Sequence, residues 1–590
     1  MNKRSPYLIS KALLHFMWAS ILASLAQQLA TTTDAIVVSH LIAPDAISAV
    51  NVVMPIMSLC TSIGFLFGVG GSVLAAKAIG RRDMTEANRV FTSSLTATLL
   101  CAVPLSVVGC WQAAGIAAVL CPADSRIYPM TVSYLQTIML GTTFQLASFT
   151  LQCFVKTDGN PKRVMMAVML STLINFVLDI VFIKVFHMGI AGSAWATNVS
   201  YLVALSVCLL HFRSPHCSLR WLSSTFHHLS STLRLVMSNM VEGFPMCING
   251  LLLGLCIFGF NRIVLHAQGA DGMYIWSVCL QLFVLTQMVL AGIGSSIFSI
   301  GSMLVGERDM LGLDILVRRI LTYVCGVLLV AILFVVTFPE VVGRMFGSGG
   351  INVGNRLHMA LYIFSMMLIP YAIVAIMRTL YQIIGYRTMS VVFSVAQLIV
   401  MVLFVWAFSL IRPEWLWWGY PVSAIFLLLS MFLFSWYKHH KQPDAALMTL
   451  IPQTTKGKAL NFSIRLTRDD ITHALNDIAA FLKECGVVGS TAFSVHLCCE
   501  ELLYNIVGHA VGKHIGKHFV DVHIRCTEQQ ISVLLKDDGR PFNPVLKETP
   551  TGVEHLSLRL VNGWSSTINY KYMYDQNMVF LTFCIIATDA

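Results

Sequence analysis

Charge is scarce in this chain. Of 590 residues only 12% are Asp, Glu, Lys or Arg, whereas 56% are hydrophobic and the mean hydropathy is +0.73. A water-soluble domain keeps about a quarter of its residues charged, so an ordinary globular enzyme is excluded. The 16 cysteines form no CxxC pair and no regular framework. This argues against a secreted disulfide scaffold and for small apolar packing residues in a reducing compartment; the adjacent Cys498 and Cys499 read as helix packing. A cleavage site is also missing. Asn2-Lys3-Arg4 precedes an apolar run like that of a signal peptide, but the run continues to Thr31-Thr32-Thr33-Asp34 and reads as a first membrane span.

What is present is a succession of apolar runs from about residue 12 to 437. Each is long enough for the about 20 residues a helix needs to cross hydrocarbon, where only helices and closed barrels satisfy their backbone groups. Twelve spans are expected. Alternate connections are rich in Lys and Arg (Lys3, Arg4 and Lys11; Lys77, Arg81 and Arg82; Lys156 and Lys162; Lys438 and Lys441). This places both termini on the cytoplasmic side of a cytoplasmic membrane. The net charge of +10 then reflects topology, and no nucleic-acid partner is invoked.

The spans repeat. Gly80-Arg81-Arg82-Asp83-Met84 returns as Gly306-Glu307-Arg308-Asp309-Met310, and Gly159 returns as Gly385, both 226 residues later. Asp34-Ala35-Ile36-Val37-Val38 matches Asn261-Arg262-Ile263-Val264-Leu265 one residue further on. This predicts two six-helix halves, 1–226 and 227–440, a linker over 441–456 and a soluble domain over 457–590. Halves with an even number of spans share one orientation, an arrangement that binds substrate near the midplane between them.

Carboxylates within such spans cost about 2.5–3.5 kcal/mol and so face cavities and serve functions. Asp34 and Asp179 are the candidates, and Asn175 shares a helix face with Asp179. Together they can take a proton or Na⁺, or they only hydrogen-bond neighbouring helices. Glu242, before Gly243-Phe244-Pro245, falls in a second-half substrate cavity or at the cytoplasmic interface. Arg378 is expected to snorkel from a helix end.

The segments Ala76-Lys77-Ala78-Ile79-Gly80, Lys156-Thr157-Asp158-Gly159-Asn160-Pro161-Lys162, Asn175-Phe176-Val177-Leu178-Asp179 and Met188-Gly189-Ile190-Ala191-Gly192-Ser193-Ala194-Trp195-Ala196-Thr197 resemble, in order and spacing, the multidrug and toxic compound extrusion (MATE) transporters over residues 10–440. The resemblance implies a cation site formed by Asp34, Asn175, Asp179 and Thr197, and antiport of an amphipathic or cationic solute against H⁺ or Na⁺. No cofactor is required for transport.

The soluble part reads as a strand over 461–466, helices over 468–484 and 488–511, and strands over 518–527 and 530–536. A helix over 553–563 and a hairpin turning at Asp575-Gln576-Asn577 complete it. This is an α/β sandwich with helices on one face of a mostly antiparallel sheet. Glu501 and Asn505 lie one helical turn apart, a base and an amide able to ligate Mg²⁺. Asp537-Asp538-Gly539-Arg540-Pro541-Phe542-Asn543-Pro544 offers a carboxylate for a base amino group and a glycine for close approach. The two motifs in this order resemble the ATP-binding fold of histidine kinases and gyrase, in particular the anti-sigma-factor serine kinases. That implies Glu501 as catalytic base, Asn505 as Mg²⁺ ligand and Asp537, Gly539 and Gly552 at the nucleotide. The family's Gly-Leu-Gly-Leu phosphate strip is replaced by His555-Leu556-Ser557-Leu558, which puts Mg-ATP turnover in doubt. The domain either senses nucleotide or docks a cytosolic regulatory protein. Two rival expectations are a membrane-bound serine kinase that uses the spans as a receptor, and a flippase for a lipid-linked substrate, which a basic cavity would favour.

Overall fold

The computed structural model describes every residue except 1–3, 43, 122–126, 215–216, 224, 226–228, 342–350, 453–456, 466, 508–517, 542, 545–560, 562–563 and 586–590. Two units result: Met1–Phe16 with Pro452–Ala590, and Met17–Ile451.

Among the described residues, twelve helical stretches are long and apolar enough to cross a membrane. The first begins at Tyr7, in a helix that continues to Leu41. The others are Ala49–Gly80, Met84–Trp111, Tyr128–Thr157, Pro161–Val185, Gly189–Arg213, Ser230–Gly269, Asp271–Glu307, Met310–Thr337, Asn355–Ile384, Arg387–Ile411 and Pro413–Lys441. Gly269, at φ 63° and ψ −150°, turns the chain between spans seven and eight, a conformation that excludes a Cβ. A short helix, Ala113–Leu120, follows span three, and its eight residues are too few to span.

The sequence repeat is a repeat of geometry. Arg82 and Arg308 both take positive φ, 68° and 59°. One residue on, Asp83 and Asp309 cap spans three and nine, accepting from the amides of Glu86 (2.8 Å) and Gly312 (2.9 Å), which satisfies orphan donors of each first turn. Gly159 and Gly385 close spans four and ten at φ 89° and 108°. Spans two and eight also share a π-helical turn, Phe65–Val69 and Ile297–Gly301. The halves meet where these two spans end. A Cβ built on Gly80 would stand 2.9 Å from the Glu307 nitrogen and closer still to the Met303 carbonyl oxygen. One on Gly306 would stand 2.9 Å from the Lys77 carbonyl carbon and closer still to its oxygen.

The other unit holds a five-stranded sheet in the order β1-β2-β3-β5-β4. Its strands are β1 (Lys458–Arg465), β2 (Phe519–Cys526), β3 (Gln530–Asp537), β4 (Thr567–Met573) and β5 (Gln576–Cys584). Every pairing is antiparallel. Helices α1 (Arg468–Glu484) and α2 (Gly489–Asn505) cover the sheet, and Phe462, Ile478, Leu502, Val522, Val533 and Leu581 form part of the core between them. The last hairpin turns at Tyr574 and Asp575, both at positive φ (56° and 58°), as a two-residue type I′ turn requires. Gln576 and Asn577, expected in that turn, are instead buried in β5.

The first sixteen residues belong to this unit. The Ser5 amide donates to Ser463 Oγ (2.8 Å), Arg4 pairs with Asp521 (3.3 Å) and Gln576 donates to the Leu8 carbonyl (2.7 Å). Lys11 Nζ lies 2.5 Å from Asp538 Oδ2, and His15 lies 2.6 Å from Asp575.

Candidate cation site, cavities and nucleotide motif

Asp34 and Asp179 come from spans one and five and meet inside the first half. Each carboxyl group lies within electrostatic reach of the other. Ser193 Oγ donates to Asp34 (2.7 Å), while neither oxygen of the buried Asp179 has a hydrogen-bond donor among the described residues. One turn before Asp179, Asn175 Nδ2 reaches Thr197 Oγ1 at 3.4 Å. Asp34, Asn175 and Thr197 line a cavity of about 670 Å³ together with Tyr134 and Tyr201. The four residues of the proposed cation set therefore fall in one neighbourhood. Ser193, unassigned in the sequence, joins them from the opening turn of span six. A buried carboxylate such as Asp179, without a donor and beside a second carboxylate, is costly unless a proton or cation is shared between the two.

Glu242 lies elsewhere. It is buried, with Lys77 Nζ at 2.5 Å and the Arg387 guanidinium on its other oxygen, and it lines neither of the two large cavities. It therefore sits away from both cavities, where span seven meets the ends of spans two and eleven. Arg378 corrects its expectation. It sits within the helix Leu368–Ile384, donates from Nη1 to Ser394 Oγ (2.8 Å), and lines a second cavity of about 440 Å³ between the halves. Snorkelling fails because the head group finds a polar partner and open space beside its own helix. Gln27, Thr61, Phe65, Gln145, Gln152 and Tyr201 line both cavities, so the two are continuous.

In the other unit Asp537 ends β3. Its Oδ1 accepts from the Gly539 amide (2.8 Å) and from Asn577 Nδ2 (2.8 Å). Burial pushes this carboxyl up to about 6 against the pull of both donors. Asn577 is the positioning partner that sequence reasoning misses, because the local pattern puts it in the turn. Burial also acts to raise the neighbouring Asp538, but Lys11 and His518 (Nδ1 at 3.0 Å) outweigh it and hold that carboxyl below the usual range. Asn505 and Asp537 line one small cavity of about 10 Å³ with Leu502 and Asn577. Half-buried Glu501 contributes its carbonyl to Asn505 Nδ2 (2.7 Å). Asp537, Gly539 and Asn505, a carboxylate, a backbone amide and a side-chain amide, are of the chemistry that could hold a base and a metal. The cavity as it stands has room for about one water, so a nucleotide would require it to open. Gly552, residues 555–560 and most of the expected helix over 553–563 lie outside the described residues.

Fold and site together define a polytopic membrane protein of two repeated six-span halves followed by an α/β ATPase-type domain. Comparison with known proteins gives the families. MatE matches residues 19–181 and the histidine kinase-like ATPase domain matches residues 464–583. The chain carries a MATE domain fused to a histidine kinase-like ATPase domain. A multidrug export protein, MepA of Staphylococcus haemolyticus, is 24% identical over 49% of this chain, which spans only 63% of that relative. A probable multidrug resistance protein, YoeA of Bacillus subtilis, is 24% identical over 74% of this chain and 96% of its own length. The crystal structure of MATE in complex with MaL6 superposes with a TM-score of 0.68 at 20% identity, covering 73% of this chain and 96% of that one.

Proposed function

We propose that the spans form a secondary active exporter in a cytoplasmic membrane, moving an amphipathic organic solute outward in exchange for entering H⁺ or Na⁺. The observation that carries this is the Asp34–Asp179 pair, set against Ser193 beside a cavity that shares walls with a smaller one between the halves. A cation entering there removes the repulsion between two buried carboxylates. Its loss restores that repulsion and favours whichever helix arrangement separates them. The coupling is thus a difference in cation affinity between two arrangements. The multidrug labels of MepA and YoeA support an organic solute as cargo.

The C-terminal domain is read as a regulator that binds nucleotide at Asp537 or docks a cytosolic protein. Mg-ATP, when bound, would supply phosphate and metal charge, with Asn505 as the expected metal ligand and Glu501 as the expected base. Asp537 is held by Asn577 and Gly539 to accept from the base.

The test is dye efflux from proteoliposomes under imposed pH or Na⁺ gradients, comparing the wild type with Asp34→Asn. Gradient-driven transport is expected to disappear in the variant. Undiminished coupled transport in Asp34→Asn sinks the assignment.

A further inference from the structure

The cavity between the halves has the wrong polarity for a cationic cargo. Of the residues lining its roughly 440 Å³, two are charged, and both are positive: Lys156 of span four and Arg378 of span ten. No carboxylate among the described residues lines it. Neither cation is ion-paired among the described residues. The one hydrogen bond found for the Arg378 side chain goes to the neutral Ser394 hydroxyl, and its Nε is buried with no partner. Glu242 of span seven is already taken up by Lys77 and Arg387. The remaining wall is apolar and amide-rich, with Phe149, Met246, Leu290 and Phe298 beside Gln152 and Gln287.

We propose that this cavity binds an amphipathic organic anion, a carboxylate-, sulfonate- or phosphate-bearing molecule with a large apolar body, its acidic group set between Lys156 and Arg378. The proposal rests on the export reading above and names the class of its cargo.

Four considerations support it. A buried cation without a counter-charge is costly, and an anion in the cavity offsets that cost at Lys156 and at Arg378 while supplying hydrogen-bond acceptors. A cationic solute would add a third like charge, a strongly unfavourable encounter wherever screening is weak. The acidic groups sit apart in the continuous cavity of the first half, so the coupling cation and an anionic cargo have separate seats of opposite sign. The charges also come one from each half, so a bound acid group would bridge the elements that alternate access must move. Lys156 also lies in the last turn of its helix, where a cation stabilises the free carbonyls whatever the cargo. The experiment separates the two roles.

The full chain in proteoliposomes is assayed with two fluorescent probes of similar size, a naphthalene sulfonate and a quaternary phenanthridinium, under the same imposed gradient. The sulfonate is expected to be transported in preference. Lys156→Gln and Arg378→Gln should each raise its half-saturation concentration tenfold or more, equivalent to about 1.4 kcal/mol, while Lys156→Arg and Arg378→Lys restore most of it. Direct titration of the detergent-solubilised chain with the sulfonate, read by tryptophan fluorescence, should show the same loss without any gradient. Competition by labelled phosphatidylglycerol in the vesicles would mark a lipid as the source of the acid group; competition by soluble sulfonates alone would mark a free solute. Gradient-driven transport of the cation with none of the anion overturns the polarity and leaves the export reading standing. Transport of neither probe, with sulfonate binding intact and sensitive to both substitutions, overturns the export reading and leaves the anion site. Equal losses for both probes in the Gln variants assign Lys156 and Arg378 to structure and overturn the proposal.

Discussion

Replacing Gly80 by alanine should shift the balance between the two arrangements of the halves without much loss of overall stability. Both Gly80 and Gly306 are helical, so the new methyl meets no backbone strain of its own. What it meets is the partner helix. At 80 it would stand 2.9 Å from the Glu307 nitrogen and 3.0 Å from the Gly306 Cα. Ordinary carbon contacts lie near 3.5–4.0 Å, and the obstacle is backbone, which cannot rotate away. The helices must part by about an ångström, and overpacking of this kind costs about 1–3 kcal/mol. Alanine also improves helix propensity by about 1 kcal/mol, but it does so in every arrangement. Global unfolding therefore sees the difference of the two effects. The equilibrium between closed and parted junctions sees the clash alone, a shift of about 5- to 150-fold. Spin labels at the exposed Arg81 and Leu311 should report a longer-distance population in Gly80→Ala and again in Gly306→Ala. The double variant should add little, since one separation relieves both methyls. Label distances that stay put in both single variants would refute the reasoning.

Two further outcomes follow from the ion pairs and the nucleotide motif. Asp537→Asn should stabilise its domain: the folded carboxyl lies near 6 instead of 3.8, so its ionised form opposes folding by up to about 3 kcal/mol above pH 6. That penalty is absent below about pH 3.8 and grows between the two values, so hydrogen exchange of β3 and β5 amides should separate variant from wild type at pH 7 and converge at pH 4. The same variant should lose ATP binding, and unchanged exchange at pH 7 would contradict the burial argument. Glu242→Gln leaves Lys77 buried without its counter-charge and should lower stability by about 3 kcal/mol. Lys77→Met with Glu242→Met should recover most of it in a thermal-shift cycle, and simple additivity of the single losses would show that the pair does not act as one.

Much of the fold is legible in the sequence because its determinants are local or periodic. Apolar runs mark the spans, and repeated caps and glycines mark the two halves, since Asp83 and Asp309 act on amides three residues away. Asp34 and Asp179 stand out because a carboxylate among apolar residues is too costly to keep unless it faces a cavity or a partner. Arg378 does not stand out. Whether an arginine reaches the interface or a cavity depends on which face of its helix meets the other half, and no short-range pattern records that. Asn577 is hidden for a different reason: a one-residue displacement of the hairpin turn exchanges loop for strand and reverses the direction of every side chain in it. Ser193 lies inside a motif that the sequence does display, but only the approach of span one gives its hydroxyl a role.

The two ends of the chain complete one sheet domain, and this has a consequence for biosynthesis. Residues 4–16 leave the ribosome long before Ser463, Asp521, Asp538 and Asp575, to which they bind, are made. At about 5–20 residues per second the amino-terminal segment waits roughly twenty to one hundred and ten seconds for its partners. During that interval Arg4 and Lys11 are uncommitted cations flanking a nascent span, the kind of charge that fixes the span's direction as it enters the bilayer. Later the same two cations neutralise Asp521 and Asp538. An amino-terminal tag would thus leave insertion intact and be felt only when translation ends.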